Sequence, residues 1–402
     1  MTFKQTEHDV NKTGFSLEDI EGLIATTQNY FLLTGDRDSR VWIFRPDEPS
    51  LFLRSSIQLG DGKFSIFIAD PFAGLQPILL SYKTLTTNEP IQIPFRPTAI
   101  LDSNVVTYLH QYVTSGSLLD LKQRKVVHEF LRFVVQKKLD YNPFFYYIET
   151  THFLSTGELI ADPAIMAMYA EEYGAETIDE IAPRYARAMV TPRNPRLDGL
   201  SKLIYAALLK IGLIHKTNKR TLMSKYHELL VFMQEVLKIG MGTERMVALA
   251  YFTGKFDNFI PIQKGAVVAK VHRRLKAAAW DLVLLRLPAR LLAVSPDDEI
   301  SVGYVCTSDR ALWQIARTAK LEAVTKMMPK TPEGVPVLSY DPSPLELNIT
   351  PALMEQIFEA DTDWQQRRIP YLTGGADRIP YEILLTLIDE LEQQVNVFCS
   401  AE

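Results

Sequence analysis

The sequence predicts an α/β protein: a parallel sheet flanked by helices, interrupted by a large helical insertion and preceded by a small β-rich N-terminal domain. Three observations lead there. Two short apolar runs, one ending at Leu101 and one at Thr307, pass directly into polar and acidic residues, as strands do where they leave a sheet. Between them, residues 150–275 show mostly helical apolar spacing. Ahead of them, short β-like runs alternate with turn residues.

In chain order, Ser16 and Asp19 resemble a capping box, so a helix is expected to begin near Ser16. The runs VWIF (41–44), SLFL (50–53), FSIFIA (64–69) and IQIPF (91–95) read as strands, separated by turns such as Gly60-Asp61-Gly62. A boundary is expected near Arg96-Pro97, which makes 1–97 one domain. The strand Ala99–Leu101 follows, then a helix over 118–139. Helices are also expected in KLIYAALLKIGLI, in YHELLVFMQEVLKIG and over 265–292, with the insertion at about 155–262. A strand over 301–307 and a helix from Asp309 to Lys320 complete the domain 98–330. Residues 331–402 read as a C-terminal extension, in which YEILLTLIDELEQQV is an amphipathic helix suited to packing or to a partner.

Length and composition narrow the classes. A chain of 402 residues exceeds what one hydrophobic core usually serves. The net charge of -5 does not advertise a nucleic-acid binder, but a total can hide a local basic surface. Cys306 and Cys399 are too far apart in sequence for a metal knuckle and too few for a disulfide framework, which suits a reducing compartment. The start MTFKQTEHDV lacks the charged-then-apolar pattern of a secretion signal, and no run reaches the roughly 18 apolar residues of a spanning helix. A cytoplasmic protein without a membrane partner is therefore expected.

The chemistry sits at the two strand ends. In Ala99-Ile-Leu-Asp102-Ser-Asn104 and Tyr304-Val-Cys-Thr307-Ser308-Asp309, an apolar strand delivers a carboxylate to the sheet edge, where α/β proteins place ligands. On adjacent parallel strands, Asp102 and Asp309 would repel and take up protons. A hard cation with oxygen ligands, Mg²⁺ or Mn²⁺, resolves that conflict.

These two segments resemble the first and last motifs of the PIN-domain nucleases, in which one strand ends in Asp-Thr/Ser-Asn and a later one in Thr-x-Asp before a helix. The resemblance covers roughly 98–150 and 265–325. It implies a PIN-like sheet and two further acids on intervening helices, matched here by Glu149 and Asp281, with Glu129, Glu158 and Glu244 as substitutes for Glu149. It also implies a metal-dependent endonuclease, RNA preferred over DNA. Asp102, Asp309, Asp281 and Glu149 would be catalytic and metal-binding, and Asn104, Thr307 and Ser308 would orient ligands or contact phosphate. The interval between Glu149 and Asp281 is far longer than in compact members of the family. Two alternatives stand beside this reading: a catalytically inactive RNA-binding or scaffold protein of the same fold, and a metal-dependent phosphatase.

A second asymmetry lies in the insertion. Arg184, Arg187, Arg193, Arg196, Lys202, Lys210, Lys216, Lys219, Arg220 and Lys225 are opposed between 184 and 225 by Asp198 alone, with tyrosines interleaved. That pattern suits phosphate contacts and base stacking, or else a solvated face or an acidic partner. His215 has no Cys or His at ligand spacing and reads as a surface or phosphate-contacting residue. Gly240-Met-Gly242 lacks the third glycine of a dinucleotide fingerprint, and there is neither a Walker A sequence nor a Gly-x-Ser-x-Gly elbow. A homo-oligomer or a regulatory protein bound through the N-terminal domain or the C-terminal helix is a further expectation.

Overall fold

In the computed structural model, the described residues are 39–49, 56–60, 64–72, 75–87, 95–114, 119–142, 145–146, 195–294, 300–326, 335–360 and 379–401, with Ala25, Gln28 and Leu32 singly. These three are helical; Ser16 and the run 50–53 lie outside the described residues.

Two sheets carry the nine described strands. The first is antiparallel, in the order β4 (Leu75–Leu80), β1 (Arg40–Pro49), β8 (Ala319–Lys326), β9 (Val335–Tyr340). The second runs β2 (Ile57–Leu59), β3 (Ile66–Ala69), β7 (Ile300–Thr307), β5 (Phe95–Leu101), β6 (Asp140–Asn142). Within it β7, β5 and β6 are parallel, whereas β3 pairs antiparallel with β7 and β2 with β3. The α/β class is therefore present, as a mixed sheet.

The expected boundary at Arg96-Pro97 falls inside β5. The strands before it do not pair only with one another: β3 joins β7, and β1 joins β8. Strand pairing is non-local, so apolar runs in sequence cannot say which partner satisfies their backbone groups. The helix expected to end at Lys320 stops at Ala316, and Ala319 already opens β8.

Helices α1 (Tyr82–Thr87), α2 (Ser103–Thr114) and α3 (Leu121–Gln136) precede the insertion. Asp120 caps α3 in a reciprocal box with Gln123, which satisfies two of the donors a helix start leaves open. The sheet's core lies between it and α2 and α3, where Ile66, Ile68, Ala99, Leu101, Val105, Val127 and Phe130 are buried.

The second core is helical. It is built by α4 (Pro195–Thr217), α5 (Leu222–Val231), α6 (Gly242–Phe252), α7 (Val268–Leu284) and α8 (Leu287–Val294), with a π turn, Phe232–Val236, after α5. Pro288 separates α7 from α8, because a proline supplies no amide to continue the α7 ladder. Helix α9 (Arg310–Ala316) follows β7, and residues 351–360 are also helical. The C-terminal helix α10 (Tyr381–Ser400) buries Leu384, Ile388, Leu391 and Val395 against this core. A polar network ties its remaining face: Tyr205 donates to Glu392 at 2.6 Å and meets His272 Nδ1 at 2.8 Å, while His272 Nε2 meets Asn396 at 2.7 Å. Helix α10 is thus packed within this molecule. Among the described residues no helix is long and apolar enough to cross a membrane.

Candidate active site

Strands β5 and β7 lie side by side, Leu101 opposite Cys306, and leave the sheet at the same edge. The backbone holds the next residue in place, since Asp102 N donates to Cys306 O at 2.9 Å. Asp102 is only 4 % exposed. Its Oδ2 accepts from the Thr307 hydroxyl at 2.7 Å and from Asn104 Nδ2 at 3.4 Å. The Thr307 hydroxyl in turn accepts from Asp309 N at 2.9 Å. A chain of hydrogen bonds thereby links the two strand ends through Thr307, which the sequence offered only as a supporting residue.

Asp309 is the N-cap of α9, its Oδ1 accepting from Ala311 N at 2.7 Å and Leu312 N at 3.1 Å. Burial pushes the Asp102 carboxyl above its ordinary range; the bonds from Thr307 and Asn104 oppose this, and the Asp309 charge adds to the rise. Two strand-end acids therefore sit within electrostatic reach, one buried and the other half-buried.

Beside this edge opens a cleft of about 580 Å³. Asp309 and Arg310 line it from the start of α9, Asp281 and Arg274 from α7, and Asp257 and Asn258 from the loop after α6. On α7 the small residues Ala277 and Ala278, one turn before Asp281, keep the wall low in front of its carboxylate. In the loop after α6, Phe256 adopts φ 63°, a left-handed conformation that costs a bulky residue about 1 kcal/mol or more. Gly254 precedes it at φ 84°, and Lys255 anchors the loop by donating to the Leu345 and Glu346 carbonyls at 2.7 and 2.5 Å. Such strain persists only where surrounding contacts impose it, and here it shapes the wall that presents Asp257.

The structure thus brings Asp102, Asn104, Thr307, Ser308 and Asp309 to one sheet edge, and Asp281 lines the same cleft as Asp309. Asp102 itself is not among the residues that line the cleft; it is bonded to Thr307. Glu149 and Glu158 lie outside the described residues. Glu129 is on α3, 3.9 Å from Lys125. Glu244 is fully buried and bound to Arg286 at 2.6 Å, so it is no substitute ligand. Among the described residues no three His, Cys, Asp or Glu side chains gather as a group able to hold a metal ion. Asp257 was given no role in the sequence reading; its signal was a polar pair, Asp257-Asn258, set between Phe256 and Phe259 just after Gly254.

Of the basic residues, Arg184, Arg187 and Arg193 lie outside the described residues, and Arg196 belongs to the first turn of α4. Lys216, Lys219 and Arg220 stand at the turn from α4 to α5.

No protein-family model, no curated protein and no solved structure matches this chain.

Proposed function

We propose that the chain is a metal-dependent endonuclease of PIN-like design, acting on single-stranded RNA in the acid-lined cleft beside β5 and β7. One observation carries the reading: acids from two neighbouring parallel strands, Asp102 and Asp309, meet at one sheet edge, and Asp309 shares a cleft with Asp281.

The donor set suits Mg²⁺ or Mn²⁺. It is all oxygen, and Mg²⁺ keeps several waters while taking only one or two carboxylates, so a three-acid cage is not required. Asp309 and Asp281, which line the same cleft, would hold the ion. Asp309 Oδ1 is engaged by the α9 cap, which leaves its Oδ2 for that task. When bound, the ion activates water and stabilises charge on the phosphate. The chain's own residues supply the rest. Arg274 and Arg310 offer guanidinium donors to phosphate oxygens. Asp102 positions the turn by accepting from Thr307, which accepts from Asp309 N.

The test is cleavage of a 5′-labelled single-stranded RNA by purified protein. Cleavage with Mn²⁺ or Mg²⁺ that EDTA stops is the expected result, with no turnover of nitrophenyl phosphate. Turnover of nitrophenyl phosphate but not of RNA would point to a phosphatase instead. A second reading, a scaffold that keeps the fold without the chemistry, draws on the capping role of Asp309. It predicts RNA binding with no cleavage under any of these conditions.

A further inference from the structure

We propose that Lys216, Lys219 and Lys225, gathered around His215 where α4 turns into α5, form a binding site for backbone phosphates of a nucleic-acid strand that continues into the acid-lined cleft. The phosphate site stands on its own observations; only the path of the strand into the cleft rests on the nuclease reading.

The turn is tightly built. Asn218 N donates to Ile214 O at 2.9 Å, Arg220 N to Asn218 Oδ1 at 2.9 Å, and Ser224 N to the Thr221 cap at 3.3 Å. Lys210 and Asn218 are both held by Glu228, at 2.9 and 3.0 Å, so the one carboxylate on this stretch of α5 is already taken. Among the described residues no acid pairs with Lys216, Lys219 or Lys225. The Lys225 amine is pushed down by burial and by the charges of Lys219 and Lys216. Three like charges brought to one turn, with no acid among them, suit an anion. The aromatic floor helps hold them, with the Lys216 amine 5.6 Å from the Tyr251 ring centroid.

His215 lies beneath the cluster. Its ring is 4.6 Å from Tyr251 and stacks on Phe252 at 6.0 Å, and its Nδ1 is buried without a hydrogen-bond partner. Burial, then the charges of Lys225 and Lys216, push the imidazole down to about 4, and Asp257 opposes them. The ring is therefore neutral at physiological pH. With Nδ1 buried and unpartnered, a proton on Nε2 leaves an acceptor rather than a donor unsatisfied. Nε2 then offers a neutral donor amid three ammonium groups.

Asp257 connects this site to the cleft. Its charge reaches both His215 and Tyr251, and it lines the cleft with Asp281 and Asp309. A strand crossing the Asp257 loop meets lysines on one side and the acids on the other.

The experiment is fluorescence anisotropy of a 5′-labelled 12-nucleotide RNA on the full chain, in EDTA, at 50, 100 and 200 mM KCl. Changing Lys216, Lys219 and Lys225 to Ala should weaken binding at least about tenfold at 50 mM. It should also reduce the slope of log affinity against log salt by about 2, at about 0.7 per single-strand phosphate contact. Lys219 is exposed and Lys216 and Lys225 are half-buried, and thermal melting checks that the variant stays folded. As a second readout, inorganic pyrophosphate should raise the His215 titration midpoint, followed by NMR, by about one pH unit in the parent and not in the variant. Unchanged affinity and slope in the variant would overturn the proposal. So would displacement of the RNA by an oligoglutamate peptide of equal charge at equal concentration. If the parent binds with the predicted slope but never cleaves, the nuclease reading fails and the phosphate site stands.

Discussion

An Asp309→Asn protein should lose about 10³-fold in RNA cleavage, equivalent to about 4 kcal/mol of transition-state stabilisation, while its thermal midpoint stays within about 1 °C of the parent. The two halves of that expectation come from different oxygens. Oδ1 accepts from Ala311 N and Leu312 N, and an asparagine carbonyl can do the same, so the cap on α9 survives. What asparagine removes is the negative charge facing the cleft. It also removes the charge that pushes the Asp102 carboxyl up, which relieves a buried acid. Asp309→Ala separates the roles from the other side: the cap is lost at a cost of about 1 kcal/mol, and activity falls with it. Side-by-side melting curves and initial cleavage rates check both. Full activity in the asparagine protein would reduce Asp309 to a cap.

The largest loss of stability is expected from Glu244→Ala. Glu244 has no solvent exposure and accepts from Arg286 Nη2 through both oxygens, at 2.8 and 2.6 Å. Arg286 also donates to Leu282 O at 2.8 Å, which fixes the junction where α7 gives way to α8 and the chain turns toward β7. The Glu244 charge helps keep the Arg286 guanidinium above its ordinary range despite burial. Removing the carboxylate leaves a guanidinium that is only 25 % exposed without its charge partner, at about 3 kcal/mol. Glu244→Gln keeps one acceptor and should cost less, about 1–3 kcal/mol. A double change to Glu244→Leu with Arg286→Met should recover much of the loss, because the orphaned charge leaves with its partner. Urea unfolding of the four proteins measures this. A loss below about 1 kcal/mol in Glu244→Ala would mean that the pair does not hold the junction.

What the sequence disclosed and what it withheld follow from range. The ends of β5 and β7 were legible because a strand's last residues and the helix start after it are written within ten positions, so Asp102 and Asp309 could be placed at a sheet edge. Their adjacency was an inference, and the parallel pairing of Leu101 with Cys306 agrees with it. The antiparallel pairing of β3 with β7 was not legible, because nothing in FSIFIA names its partner. The strand β8 was hidden by a helix expected to run to Lys320, four residues past its end at Ala316 and two into the strand. Glu244 drew attention as a spare acid, but its partner lies 42 residues on and only the fold brings them together. Asp257 reaches the cleft through a loop whose course depends on the left-handed Phe256, and no periodicity signals that. The insertion's basic stretch was visible as composition. That Lys216 and Lys219 stand at the turn from α4 to α5 was decided by where those helices end and begin.

Uptake of Mn²⁺ is the most direct test, because it needs no knowledge of the substrate. Calorimetric titration of the full chain with Mn²⁺ at neutral pH should show binding in the parent and at least about tenfold weaker binding in both Asp309→Asn and Asp281→Asn. Asp257→Asn, on the far loop, should change it less. Uptake equal to the parent's in both the Asp309 and the Asp281 proteins, or no uptake by the parent at all, would contradict a metal centre in this cleft.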